Sequence, residues 1–118
     1  MTQQSSDPLA RWAKVLADWA ERMPVRDVYM FGDYARGDAA PGSKLKIAIE
    51  YGAAASDEMM RSWKEENASG FAELEGALGV QIALFTDQDH EVWGPIRDAA
   101  RAPLLTIGKV RIVRTPAP

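Results

Sequence analysis

The sequence predicts a small α/β domain, in the looser α+β sense, with helices packed on a mixed β-sheet. Three observations carry that expectation. Residues 44–51 (KLKIAIEY) alternate strictly, with Leu45, Ile47, Ile49 and Tyr51 on one face and Lys44, Lys46, Ala48 and Glu50 on the other, which is the period of a strand. Residues 25–31 (VRDVYMF) and 80–85 (VQIALF) are shorter runs of the same β-branched and aromatic character. Stretches with apolar residues at helical spacing precede and separate these runs, and strands alternating with helices make a layered α/β sheet.

The first helix starts at Asp7-Pro8, where an aspartate can cap free N–H groups and proline needs no donor in the first turn. Leu9, Trp12, Val15, Leu16, Trp19 and Met23 then recur at helical spacing, and Pro24 stops the run. The strand at 25–31 runs into a tight turn at Gly32. After the alternating strand and a linker at 52–55, Ser56 with Asp57 and Glu58 offers a second cap. Met60, Trp63, Phe71, Leu74 and Leu78 keep an approximate helical period to Gly79, weakened by Asn67, Ser69 and Gly70, so one kinked helix or two short ones fit. In the third strand Val80, Ile82 and Leu84 face one way and Gln81, Ala83 and Phe85 the other. Residues 86–101 read as helical, with Val92, Trp93, Ile96 and Ala100 in phase and Pro95 expected to start a new segment. Two last runs, 104–107 and 110–113, flank Gly108-Lys109, a glycine-first pair suited to a type II′ hairpin.

Composition bounds the function. With 118 residues the chain is expected to be one domain over 1–118, with 1–6 and 115–118 disordered. Hydrophobic residues make up 47% and charged residues 26%, as in ordinary globular proteins. A net charge of -3 supplies no basic field, which disfavours nucleic acid as the main partner. There is no cysteine and a single histidine, His90, so thiolate and histidine-rich metal sites are excluded. Residues 1–6 lack a basic segment leading into an apolar one, and no apolar run reaches membrane-span length; the expected location is the cytoplasm, with no membrane contact.

The chemistry concentrates at Phe31-Gly32-Asp33-Tyr34-Ala35-Arg36-Gly37 and, after Gly42-Ser43, at Lys44-Leu45-Lys46 on the alternating strand. In this layout, and in the order helix, strand, glycine turn, strand, helix, strand, the whole chain resembles the minimal nucleotidyltransferases of the DNA polymerase β-like superfamily. Members carry Gly-Ser after a first strand, Arg-Gly a few residues on, Ser-Asp-x-Asp opening the next strand and a third Asp on a later one. The match runs through Phe31, Gly32, Ala35, Arg36, Gly37, Asp38 and Ser43. The family chemistry is phosphoryl transfer with two Mg²⁺ ions held by closely spaced carboxylates, and residues two apart on a strand point the same way. Here those positions are Lys44 and Lys46, the third falls on Gln81, and the serine of Gly-Ser is replaced by Asp33. Ammonium groups have no lone pair for a metal and repel it. The loop keeps its glycines and arginine but has lost four functional side chains. The resemblance therefore implies a catalytically degenerate member with no cofactor.

A displaced carboxylate cluster built from Glu50, Asp33 and Asp38 is disfavoured, because Glu50 lies about 20 Å along the strand from Lys44 at roughly 3.3 Å per residue. Three readings of the altered site remain. In the first, Lys44 and Lys46 are solvated, Asp33 pairs with one of them, and the protein is a binding or regulatory module. In the second, Gly32, Asp33, Arg36, Gly37, Ser43, Lys44 and Lys46 surround a metal-independent pocket for a nucleotide or phosphate, which Asp33 opposes. In the third, the protein is an active Mg²⁺-dependent nucleotidyltransferase using ATP. The resemblance also implies a partner: minimal nucleotidyltransferases often work beside a small all-helical protein, as the antitoxin half of a toxin–antitoxin pair, so a hetero- or homo-oligomer is expected.

Other features have plainer explanations. Trp12, Trp19, Trp63 and Trp93 fall at periodic helical positions and are expected as core or interface anchors. Asp87 to His90 reads as a solvated helix start, not a metal site. Arg97, Arg101, Lys109, Arg111 and Arg114 make the last fifth of the chain locally basic, either a solvated surface or a contact for an acidic partner.

Overall fold

The computed structural model describes residues 8–22, 25–50, 65, 68–86 and 89–116. The second expected helix cap at Ser56, the linker before it, Met60, Trp63 and the Asp7 cap all lie outside these residues. Among the described residues, five strands form one mixed sheet with four helices.

Helix α1 spans Leu9–Glu21 and buries Trp12, Ala13, Leu16, Ala17, Trp19 and Ala20. The alanines keep this face thin, so the helix lies close to the sheet while Leu16 and the indoles supply most of the apolar area. Burying a side chain such as Leu16 contributes about 1.5–3 kcal/mol. At its C-terminal end the Lys109 ammonium donates to the Ala20 carbonyl at 3.3 Å, placing a cation where unpaired carbonyls collect.

The sheet comprises β1 (Asp27–Phe31), β2 (Leu45–Glu50), β3 (Ile82–Phe85), β4 (Leu105–Ile107) and β5 (Val110–Ile112), in the spatial order β3-β2-β1-β5-β4. β1 runs antiparallel to β2 and parallel to β5, β2 runs parallel to β3, and β4 pairs antiparallel with β5. The alternation read in β2 sets its register: Leu45, Ile47 and Ile49 are buried with Val28, Met30, Val110 and Ile112 in the core under α1. The terminal hairpin turns at Gly108, whose φ of 56° suits glycine, and inserts β5 beside β1.

Helix α2 is the single turn Asp33–Arg36, and helix α3 is Ala68–Leu78. α3 joins the α1 side through Leu74 and Leu78. The buried Trp12 indole donates from Nε1 to the Leu78 carbonyl at 2.9 Å and ties the two helices together. Helix α4, His90–Ala99, covers the other face, where Phe31, Ala48, Trp93, Ile96 and Val113 form a second, smaller core.

One expectation needs correction. Pro95 does not begin a new segment but lies inside α4. It is exposed, as is Glu91 one turn earlier, so the carbonyl that loses its donor can be hydrated. After β5, Thr115 is buried at 6% exposure, and the carbonyls of Thr115 and Pro116 accept from Arg36; residues 1–6, 117 and 118 lie outside the described residues.

Candidate functional site

The loop is positioned from three sides. β1 ends at Phe31, Gly32 turns the chain at φ 84° and ψ −150°, and Gly37 closes α2 in the left-handed region at φ 85°. Tyr34 packs edge-on against Trp12, with ring centroids 5.1 Å apart, and its hydroxyl donates to the Ser43 carbonyl at 3.2 Å. Ser43 closes the return: its Oγ accepts from the Ala40 amide at 2.9 Å, and its own N–H donates to the Ala40 carbonyl. The loop thus leads directly from the first core into β2.

Lys46, at the start of β2, is the cross-strand partner of Phe31. Its aliphatic stem lies on Gly32, so that a Cβ on Gly32 would stand 2.6 Å from Lys46 Cδ. Lys44 and Gln81 immediately precede the paired residues Leu45 and Ile82, and the Leu45 amide donates to the Gln81 carbonyl at 2.8 Å. The three positions expected to correspond to metal-binding carboxylates therefore lie together where β2 and β3 begin, on the α4 face of the sheet. Lys44 and Gln81 are exposed and Lys46 is half-buried. Among the described residues no group of three or more His, Cys, Asp or Glu side chains could hold a metal ion.

Arg36 differs most from expectation. Its side chain is only 12% exposed, and its donors are committed: Nη2 to Asp33 Oδ1 at 2.5 Å, Nε to Asp38 Oδ2 at 3.3 Å, and Nη1 to the carbonyls of Thr115 and Pro116 at 3.4 and 3.5 Å. The expected pairing of Asp33 with a lysine is thus replaced by a pairing within α2. Arg36 is closer because the i,i+3 spacing puts both groups on one face of a helical turn. Two carboxylates more than offset the guanidinium charge, and the same fork clamps the tail.

Gly32, Arg36 and Lys46 border a cleft of about 300 Å³ together with Phe31, Glu91, Val92, Pro95, Thr115 and Pro116. Asp33, Gly37, Ser43, Lys44 and Gln81 are not in its lining. α4 and the tail supply the remaining walls; nothing in the sequence pattern signalled them, because their placement depends on long-range packing.

A separate polar cluster lies toward the far end of β1. Asp27 accepts from Arg111 Nη1 at 2.8 Å, and the Arg111 guanidinium stacks over the Tyr29 ring at 5.8 Å. Tyr29 meets Trp93 edge-on at 5.6 Å, and Arg97 covers Trp93 at 5.5 Å. Burial, followed by the Asp27 carboxylate, raises the Tyr29 phenol above its usual value; the hydrogen bond to Asp27 raises Arg111. Much of the basic run at the end of the chain is therefore engaged: Arg111 at Asp27, Arg97 on Trp93, Lys109 at α1, and Arg101 near Asp98 at 3.8 Å. His90 is exposed at the start of α4. Asp89 beside it accepts from the Thr86 amide at 2.7 Å, and Trp93 Nε1 donates to the Thr86 carbonyl at 3.0 Å, a structural helix entry.

No family model matches the chain, and neither do curated proteins or solved structures. No helix among the described residues is long and apolar enough to cross a membrane.

Proposed function

We propose that this protein is a catalytically degenerate nucleotidyltransferase-like domain that acts as a binding or regulatory module through protein contacts. The observation that carries the reading is Lys46: it stands where the resemblance puts a metal-binding carboxylate, and its stem covers Gly32, the turn glycine of the loop. Lys44 and Gln81 beside it add a second cation and a neutral amide, neither a substitute for a carboxylate pair. Arg36, the other group that could meet a phosphate, is held by Asp33 and Asp38. These contacts favour the module over both a metal-free nucleotide sensor and an active Mg²⁺-dependent enzyme using ATP. A small helical protein, in an antitoxin-like pairing, is the partner that the resemblance suggests, and a cytoplasmic location belongs to the same proposal.

Calorimetric titration with ATP, with and without Mg²⁺, tests it. The proposal expects no Mg²⁺-dependent heat of binding. Binding that requires Mg²⁺ would overturn it, and ATP binding indifferent to Mg²⁺ would favour the sensor instead.

A further inference from the structure

A second groove, of about 470 Å³, borders the loop on the side of the α1 N-terminus. Leu9, Tyr34, Ala39 and Leu104 supply apolar wall, and Arg36 and Arg114 supply charge. Leu104 is 50% exposed, the exposed large hydrophobic side chain of the described surface. Among the described residues the lining contains no carboxylate, although the chain carries 17 acidic and 14 basic residues. Arg36 is neutralised by Asp33 and Asp38, whereas Arg114 is exposed and forms no ion pair among the described residues.

We propose that this groove docks a segment of a partner protein that presents an apolar side chain next to a carboxylate. The inference rests on the binding-module reading and supplies its contact surface. Charge complementarity selects the occupant: the apolar side chain covers Leu104 and Leu9, and the carboxylate meets Arg114 at the rim, where a charged pair sets orientation and partner choice. A second copy of this chain fits less well. A two-fold contact through the groove would bring the same patch of both copies together, with Arg114 in each and no carboxylate among the described lining residues.

The test is amide shift mapping on the full 118-residue chain with two pools of acetylated, amidated hexapeptides. One pool holds a fixed Glu-Leu pair between randomised positions, and the other a fixed Lys-Leu pair. The Glu-Leu pool is expected to shift Leu9, Ala39, Leu104 and Arg114, and the Lys-Leu pool to leave them in place. Leu104→Asp and Arg114→Glu should each weaken the response by about fivefold; both residues are exposed, so both variants should fold. Equal response to the two pools, shifts confined to other surfaces, no response, or unchanged binding in both variants would overturn the docking site. So would a dimer that Leu104→Asp dissociates, which would assign the groove to a second copy. Failure here leaves the ATP titration unaffected, and Mg²⁺-dependent ATP binding would refute the module reading whatever the peptides do.

Discussion

At the scale of single residues, the site is shaped by side chains that satisfy one another. Gly32 is constrained twice: its φ of 84° strains any L-residue, and Lys46 occupies the space a Cβ would need. Gly32→Ala should therefore cost about 1–3 kcal/mol of stability in urea unfolding. Adding Lys46→Ala should recover the steric part and leave the backbone part; a double variant no better than the single one would show that Lys46 does not press on the turn. Tyr29 gives a pH signature. Its phenol is raised above the ordinary 10.0, first by burial and then by Asp27. The unfolded chain then loses this proton at lower pH than the folded one, so the contribution is intact below pH 10 and is lost as pH rises through the folded value. Tyr29→Phe should flatten the decline of stability above pH 10, measured against wild type by denaturant unfolding across that range.

At the scale of elements, the loop is placed by α1 and α3 as much as by its own glycines. Trp12 links Tyr34 on one side to the Leu78 carbonyl on the other. Trp12→Phe keeps most of the apolar area but leaves that buried carbonyl unpaired, and should cost about 1–3 kcal/mol in thermal or urea unfolding. A change too small to measure would mean that the carbonyl finds another donor. β2 was legible in the sequence because its alternation matches a sheet with one face in the larger core. Gly32 and Gly37 were legible as turn residues because few other residues tolerate their dihedrals. Pro95 misled because proline interrupts helices only where the lost donor matters, and in α4 it lies on the solvent side. The commitments of Arg36 were not legible: a partner 79 residues away, the Thr115 carbonyl, leaves no local pattern.

At the scale of the whole molecule, a five-stranded sheet separates two cores of unequal size, and the candidate site lies where β1 ends and β2 and β3 begin. The tail crosses from β5 to Arg36 and forms one wall of the cleft, so the site joins the loop after β1 to the last described residues. Arg36→Ala would release that wall and leave Asp33 and Asp38 without their shared cation. It should destabilise the fold and raise amide exchange at Val113 to Thr115 more than at β2, and uniform exchange in the two regions would contradict the clamp. On the proposed reading, Lys44, Lys46, Gln81 and Asp33 stand where metal-binding and phosphate-contacting residues would be. The most direct measurement is a Mg²⁺ titration of wild type beside the combined variant Lys44→Asp, Lys46→Asp, Gln81→Asp and Asp33→Ser. Wild type is expected not to bind and the folded variant to gain Mg²⁺ affinity; Mg²⁺ binding by wild type, or none by a folded variant, would refute the proposed reading.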